Sequence, residues 1–254
     1  MIRIIGLEKS FGKNKVLRGV DLEIKTGETI TVMGGSGAGK SVLIKHVVGL
    51  LKPDKGRIFV DDAEVTKLEE EKLFQVQKRF GYLFQGGALF DSLTVAENVG
   101  FGLFNLRPDL AKHWKDVVSE KLMLVGLDPQ VGDLKPAELS GGMKKRVGLA
   151  RAIAYEPDYI LYDEPTTGLD PIMSDVINEL ILALQKKLKV TSIVVTHDLK
   201  SAYKVSNRIA MIYEGRIVTV GNPEQIQKTS DPLVKQFITG SSEGPIKMKV
   251  KEYE

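Results

Sequence analysis

From Glu28 to Met33 the chain reads Glu-Thr-Ile-Thr-Val-Met, apolar at alternate positions and rich in β-favouring residues. That two-residue period predicts a strand. A glycine-rich interval follows, and then Ser41-Val42-Leu43-Ile44-Lys45-His46-Val47-Val48, whose apolar content predicts a buried helix. Upstream, Ile2–Leu7 and Leu17–Ile24 predict short strands, with Gly27 at the turn into the strand at 28–33. Lys52-Pro53-Asp54-Lys55-Gly56 reads as a turn before a strand at Gly56–Val60. Residues 64–79 are charged and helical in pattern, and Phe80–Phe84 predicts a buried strand ended by Gln85-Gly86-Gly87. The stretch from 91 to 156 reads as helical and polar. Thr94–Glu97 there fits a capping box, and Pro108, Pro129 and Pro136 punctuate it. Tyr159–Tyr162 and Ser192–Val195 are short β-branched or aromatic runs separated by a helix at 171–188, the pattern of parallel strands joined by a crossover. Ile209–Tyr213 and Arg216–Val220, linked by Glu214-Gly215, predict a hairpin.

The interval between the strand at 28–33 and its helix is Gly34-Gly35-Ser36-Gly37-Ala38-Gly39-Lys40-Ser41, which fits G-x-x-x-x-G-K-[ST]. Strand, glycine loop and helix aim backbone N–H groups and a helix N-terminus at an anion, so this segment predicts a nucleoside triphosphate site. Lys40 is placed to reach the β- and γ-phosphates and the Ser41 hydroxyl to ligate Mg²⁺. Asp163-Glu164 ends the strand at 159–162, in the crevice where parallel α/β sheets bind ligands. Asp163 can hold Mg²⁺, directly or through water, and Glu164 can orient and polarise an attacking water. His197 ends the next strand, within reach of a γ-phosphate, and Gln85 follows the strand at 80–84, able to contact Mg²⁺ or water. Leu139-Ser140-Gly141-Gly142-Met143 opens a helix with Ser140 as its cap, which makes a second anion-binding N-terminus. With only one phosphate loop in the chain, that second site makes most sense serving another molecule's nucleotide.

Composition narrows the remaining classes. The 254 residues are 43% hydrophobic and 27% charged, with a net charge of +3, enough for one large domain or a domain with an insert. Basic residues are dispersed among acidic ones, so no nucleic-acid partner is expected; Lys144-Lys145-Arg146 and Lys186-Lys187 read as solvated helix faces. The absence of cysteine excludes disulfides and thiolate chemistry, and the three histidines show no metal-ligand spacing. The first nine residues are too soon charged for a signal peptide, and no apolar run spans a membrane. The chain therefore reads as soluble and cytoplasmic, held at a membrane only by another protein.

The phosphate loop, Gln85, Leu139-Ser140-Gly141-Gly142, Asp163-Glu164, Leu169-Asp170 and His197 stand in an order that resembles the ATPase subunit of an ABC transporter, over about residues 2 to 240. The resemblance implies an α/β fold: a P-loop NTPase with a RecA-like parallel-sheet core, an N-terminal antiparallel β subdomain and an inserted α-helical subdomain. It implies a domain at 1–240, with 1–85 and 157–240 as the nucleotide-binding core, 86–156 as the helical subdomain, and 241–254 as a tail. Two copies would stack head to tail with ATP and Mg²⁺ between them, each ATP gripped by Lys40 and Ser41 of one chain and Ser140, Gly141 and Gly142 of the other. Phe11 would stack on adenine, with Val16 also at the nucleotide, and Leu169-Asp170 would couple the two sites. Where this family usually has glutamine after the two signature glycines, this chain has Met143, which cannot reproduce an amide's hydrogen bonds.

Within the family, Leu83–Val95, Met143 and the ending Gln236-Phe237-Ile238-Thr239-Gly240 before Gly244-Pro245 resemble the ATPase of Mce/Mla-type phospholipid transporters. That resemblance implies a cytoplasmic subunit on the inner membrane, paired with an integral membrane permease, an Mce-domain lipid-binding protein and, in some systems, a small cytoplasmic regulator. Gly86-Gly87-Ala88-Leu89-Phe90 suits either a groove for a permease helix or a loop buried within the chain. The pattern Ile246–Lys251 suits a strand on a second subunit or a free charged tail. Transport of another solute, a chromosome or DNA-repair ATPase, and a non-catalytic regulatory module are the competing classes. The second lacks its long coiled-coil insertion and the third its degenerate site.

Overall fold

The computed structural model describes residues 1–247. Its strands are β1 (Ile2–Phe11), β2 (Asn14–Ile24), β3 (Thr29–Met33), β4 (Lys55–Val60), β5 (Ala63–Glu64), β6 (Phe80–Leu83), β7 (Tyr159–Asp163), β8 (Thr191–Thr196), β9 (Arg208–Tyr213) and β10 (Arg216–Gly221). The helices are α1 (Lys40–Val47), α2 (Glu70–Gln77), α3 (Val95–Gly100), α4 (Leu103–Leu106), α5 (Pro108–Ala111), α6 (Trp114–Leu124), α7 (Gly141–Ile153), α8 (Pro171–Leu188), α9 (Leu199–Val205), α10 (Pro223–Gln227) and α11 (Pro232–Thr239). One sheet, ordered β2-β1-β4-β5, is antiparallel; the other runs β10-β9-β3-β8-β7-β6, with β9 through β6 parallel and β10 antiparallel at the edge.

The parallel sheet separates two cores, and the side-chain alternation of β7 shows how. Tyr159 and Leu161 pack with α1 and the antiparallel sheet, whereas Ile160 and Tyr162 pack with Val99, Leu122 and Val147 of the helical stretch. A third cluster, with Met33, Met211, Ile226 and Val234, seats α10 and α11 beside β9.

Several sequence expectations need adjusting. The alternation of Thr29–Met33 predicts one buried face, yet all five residues are buried, because β3 lies inside a parallel sheet covered on both sides. The threonines survive there through partners: the hydroxyl of Thr31 lies 2.5 Å from that of Ser206, and the Thr29 amide donates to Asn207 Oδ1 at 2.8 Å. β1 extends past Leu7 to Phe11 and β2 starts at Asn14, with register shifts between Ile4 and Ser10 that let the hairpin bend towards the glycine loop. Residues 64–79 split into a short 3₁₀ turn and α2. Lys144-Lys145-Arg146 is not a solvated face. α7 is wedged between β6, α3 and α6, leaving Lys145 only 3% exposed, while Arg146 Nη1 donates to the Gly126 carbonyl at 2.9 Å. Thr94 and Glu97 do form a capping box on α3. Residues 241–247 fold back onto α11, where the Gln236 amide accepts from Ile246 N at 2.6 Å and donates to its carbonyl at 3.0 Å. Residues 248–254, and with them much of the Ile246–Lys251 pattern, lie outside the described residues. Among the described residues no helix is long and apolar enough to cross a membrane.

The two sheets are tied at the end opposite the glycine loop. Asp61, in the β4–β5 turn, pairs with Arg79 at 2.7 Å and accepts from the Tyr159 hydroxyl at 2.8 Å. Burial works to raise the Asp61 pKa, but bonds from the Met1 ammonium, Arg79 and Tyr159 outweigh it and hold the carboxyl at about 2. A folded-state value below that of the unfolded chain contributes stability above the unfolded pKa, near 3.9, and loses it as pH falls towards about 2. Asp61→Asn should therefore flatten the acid limb between those values; urea unfolding at a series of pH values checks this, and an unchanged acid limb refutes it.

Candidate functional site

The site grows from the exit of β3. A Cβ on Gly34 would lie 2.3 Å from the Ile212 carbonyl of neighbouring β9, so only glycine lets the chain turn away there. Gly39 takes φ +101 as the residue before α1, and no side chain caps that helix. The first N–H groups of α1 therefore face the loop without a side-chain acceptor, which suits an anion. Lys40 Nζ turns back into the loop, donating to the carbonyls of Gly34 at 2.8 Å and Gly35 at 3.1 Å.

The ends of β7 and β8 supply the opposing wall. Asp163, buried at the tip of β7, accepts from the Ser41 hydroxyl at 2.9 Å and from the Tyr82 hydroxyl at 3.3 Å. Glu164 leaves the strand at φ +51, in the left-handed region that a non-glycine residue occupies only when its surroundings hold it there. Its amide donates to the Val195 carbonyl at 2.8 Å, and its carboxylate accepts from Thr167 Oγ1 at 3.0 Å. His197 Nδ1 lies 3.0 Å from one Glu164 carboxylate oxygen and 3.1 Å from the other, and Lys40 Nζ lies at 3.7 Å. Burial pushes the Lys40 pKa down, and the negative charges of Glu164 and Asp163 counter that push. Burial also raises the pKa of Tyr82, reinforced by the adjacent Asp163 charge, which keeps its phenol a donor.

These groups line a cleft of about 740 Å³. Of the residues singled out in the sequence, Phe11, Val16, Gly35, Ser36, Gly37, Gly39, Lys40, Ser41, Gln85, Glu164 and His197 face it. Gly34 contributes its carbonyl to Lys40, Asp163 enters through Ser41, and Ala38 sits half-buried at the loop's bend. Phe11 is 48% exposed at the tip of the β1–β2 hairpin, with Lys9 Nζ 5.6 Å from its ring centre. Ser140, Gly141 and Gly142 stand elsewhere: Ser140 caps α7, Gly141 faces Leu169, and Gly142 packs on Met173. Asp170 caps α8 beside them, its Oδ1 accepting from the amides of Ile172 and Met173. The sequence pattern gives no site role to Tyr82, Thr167, Lys145 or Phe237. Thr167, three residues past Glu164, lies within reach of a turn argument; Phe237 reaches the cleft only through the fold of α11.

A buried cation set in a loop of amides, a hydroxyl paired with a carboxylate, and a second carboxylate bonded to an imidazole form a site for a polyphosphate and its hydrolysis. The donor set of Ser41 Oγ and Asp163 carboxylate is all oxygen, as Mg²⁺ requires. Comparison with known proteins agrees. The family model described as ABC transporter matches residues 17–167. The probable ribonucleotide transport ATP-binding protein mkl of Mycobacterium leprae is 38% identical over 255 residues, spanning 100% of this chain and 73% of that protein. The intermembrane phospholipid transport system ATP-binding protein MlaF of Haemophilus influenzae is 38% identical over 249 residues, spanning 98% of this chain and 94% of its own. Among solved structures, the dimeric ATP-binding cassette MJ0796, in a post-hydrolysis state bound to ADP and Pi, superposes with a TM-score of 0.81 at 30% identity, covering 88% of this chain and 99% of that one. With the family model spanning the glycine loop, the Ser140–Gly142 segment and the Asp163-Glu164 pair, and relatives aligned over nearly the whole chain, this chain belongs to the ABC transporter family as an ATP-binding, ATP-hydrolysing subunit.

Proposed function

We propose that this subunit drives phospholipid transport between membranes, working as an ATP-sandwich homodimer attached to an integral membrane permease. The observation that carries the reading is the likeness to MlaF over nearly the full length of both chains. The dimeric state of MJ0796 supports the pairing, and the separation of Ser140–Gly142 from the cleft fits a signature segment that serves a second copy. Residues 1–85 with 157–240 act as the nucleotide core and 86–156 as the helical subdomain, whose apolar residues from Val95 to Ile153 pack together against one face of the parallel sheet, beside α8.

In this mechanism Lys40 and the α1 N-terminus bind the phosphates, Phe11 and Val16 hold the base, and Glu164 takes the proton of the attacking water. His197 braces the Glu164 carboxylate and the γ-phosphate. Mg²⁺, held by Ser41 and Asp163 with Gln85 at the rim, would neutralise developing phosphate charge. For the permease we assign a second cleft, of about 600 Å³, walled by Phe74, Tyr82, Phe84, Phe90, Phe101 and Tyr155. In the 86–90 loop only Gly87 is buried, its Cα within a Cβ's reach of α7, which favours an open groove over a loop folded into the chain. A peripheral position on the inner membrane, an Mce-domain partner and a small regulator follow from the same reading.

A second reading, ribonucleotide transport, is favoured by the mycobacterial relatives. Glu164→Gln with ATP and Mg²⁺ should trap the closed dimer on its permease in native membranes. Co-purified permease, Mce-domain protein and phospholipid, identified by mass spectrometry, are the expected outcome. A permease with a nucleotide-binding partner and no lipid would refute the phospholipid assignment.

A further inference from the structure

Lys145 stands in the second turn of α7, the helix whose N-terminus carries Ser140, Gly141 and Gly142. It is 3% exposed, and its Nζ donates to the main-chain carbonyl of Glu164 at 3.0 Å, across the boundary between the helical stretch and the end of β7. Among the described residues it has no other hydrogen bond and no ion pair. Burial disfavours its charge, and the nearby Glu164 and Asp163 carboxylates counter that by attraction through space. An ammonium that filled space only would be better replaced by an apolar side chain of the same length. What distinguishes this position is the residue it touches, a glutamate held at φ +51. The other main-chain bonds of Glu164 come from its own turn, through the Thr167 amide at 3.3 Å, and from β8, through Val195. Lys145 is the bond that comes from α7.

We propose that Lys145 is a positioning residue for Glu164, fixing the strained turn so that the carboxylate points into the cleft, and tying its orientation to the seat of α7. The proposal rests on the reading of Glu164 as general base given above. Where α7's N-terminus meets the nucleotide of the partner subunit, the same bond relays that contact to the catalytic carboxylate of its own chain.

The test is a double-mutant cycle on the full chain, using wild type, Lys145→Met, Lys145→Arg, Glu164→Gln and Lys145→Met with Glu164→Gln. Steady-state hydrolysis and the affinity for a fluorescent ATP analogue are measured for each. Lys145→Met should lower kcat by about tenfold or more while KM for ATP stays within about twofold, the loss expected when a buried charge-assisted bond is removed. Lys145→Arg, which keeps a cationic donor, should recover most of the rate. On the Glu164→Gln background, Lys145→Met should lower the residual rate no further, because its effect passes through Glu164. Wild-type turnover in Lys145→Met overturns the proposal, and so does an equal fold-loss on both backgrounds, which marks a general structural effect. If Lys145→Met does not fold, Lys145→Leu, which also lacks a donor, takes its place in the cycle, and either of those two results overturns the proposal as before. Wild-type turnover in Glu164→Gln alone would instead remove the base assignment itself.

Discussion

A Glu164→Gln variant is expected to hydrolyse ATP about 10²–10⁴-fold more slowly than wild type, or roughly 3–5 kcal/mol of added barrier, the usual contribution of a positioned general base. The geometry separates this loss from a loss of binding. Glutamine keeps the length and planarity of the side chain, so Thr167 Oγ1 at 3.0 Å and the His197 ring retain a partner. The phosphate-binding groups, Lys40, Ser41 and the α1 N-terminus, are untouched. Removing a negative charge 3.7 Å from Lys40 also leaves that cation freer for phosphate, so ATP affinity should hold or rise. Radiolabelled turnover and equilibrium nucleotide binding, measured on the same preparation, check both halves. Near-wild-type hydrolysis would take Glu164 out of the mechanism.

Lys40→Ala should act on the opposite half, abolishing nucleotide binding before chemistry begins. Truncating one member of a buried, hydrogen-bonded charge pair costs about 2–5 kcal/mol, so the ATP dissociation constant should rise by roughly 30-fold to several thousand-fold. Here the truncation also strips the Gly34 and Gly35 carbonyls of their donor and leaves the Glu164 carboxylate, buried and 3.7 Å away, without its cation. Calorimetric titration with ATP and Mg²⁺ measures the change. Unchanged affinity would mean that the glycine loop does not hold the phosphates.

Both predictions concern residues legible from the sequence, because the glycine loop and the two carboxylates follow strands whose apolar pattern is local and strong. The β9–β10 hairpin and the α8 crossover are readable for the same reason, each flanked by its own turn or cap residues. What stays hidden depends on which elements meet. Thr29 and Thr31 look like the polar face of a strand until α9 and the residues that follow it cover that face of the sheet too. Lys145 sits among charged neighbours and follows the composition of a solvated helix. Only the wedging of α7 under α3 and α6 brings it to the Glu164 carbonyl. Tyr82 reads as part of a buried strand, and nothing local says that its hydroxyl meets Asp163, 81 positions along the chain. The left-handed turn at Glu164 has no glycine to announce it. Expectations that need only neighbours in sequence are reachable; those that need neighbours in space are not.

The distance between the cleft and the Ser140–Gly142 segment within a single chain has a genetic consequence. In the head-to-tail pair proposed above, each ATP would be enclosed by the cleft of one copy and the signature of the other, so damage to the two segments would fall on different sites. Two chains with the same lesion at Lys40 assemble a pair with no working site. A chain damaged at Lys40 and another damaged at Ser140 assemble a pair in which both lesions meet at one interface and the opposite interface is whole. Two individually inactive alleles should therefore complement each other when co-expressed, in proportion to the mixed pairs formed, whereas either allele expressed beside the wild type should depress its activity.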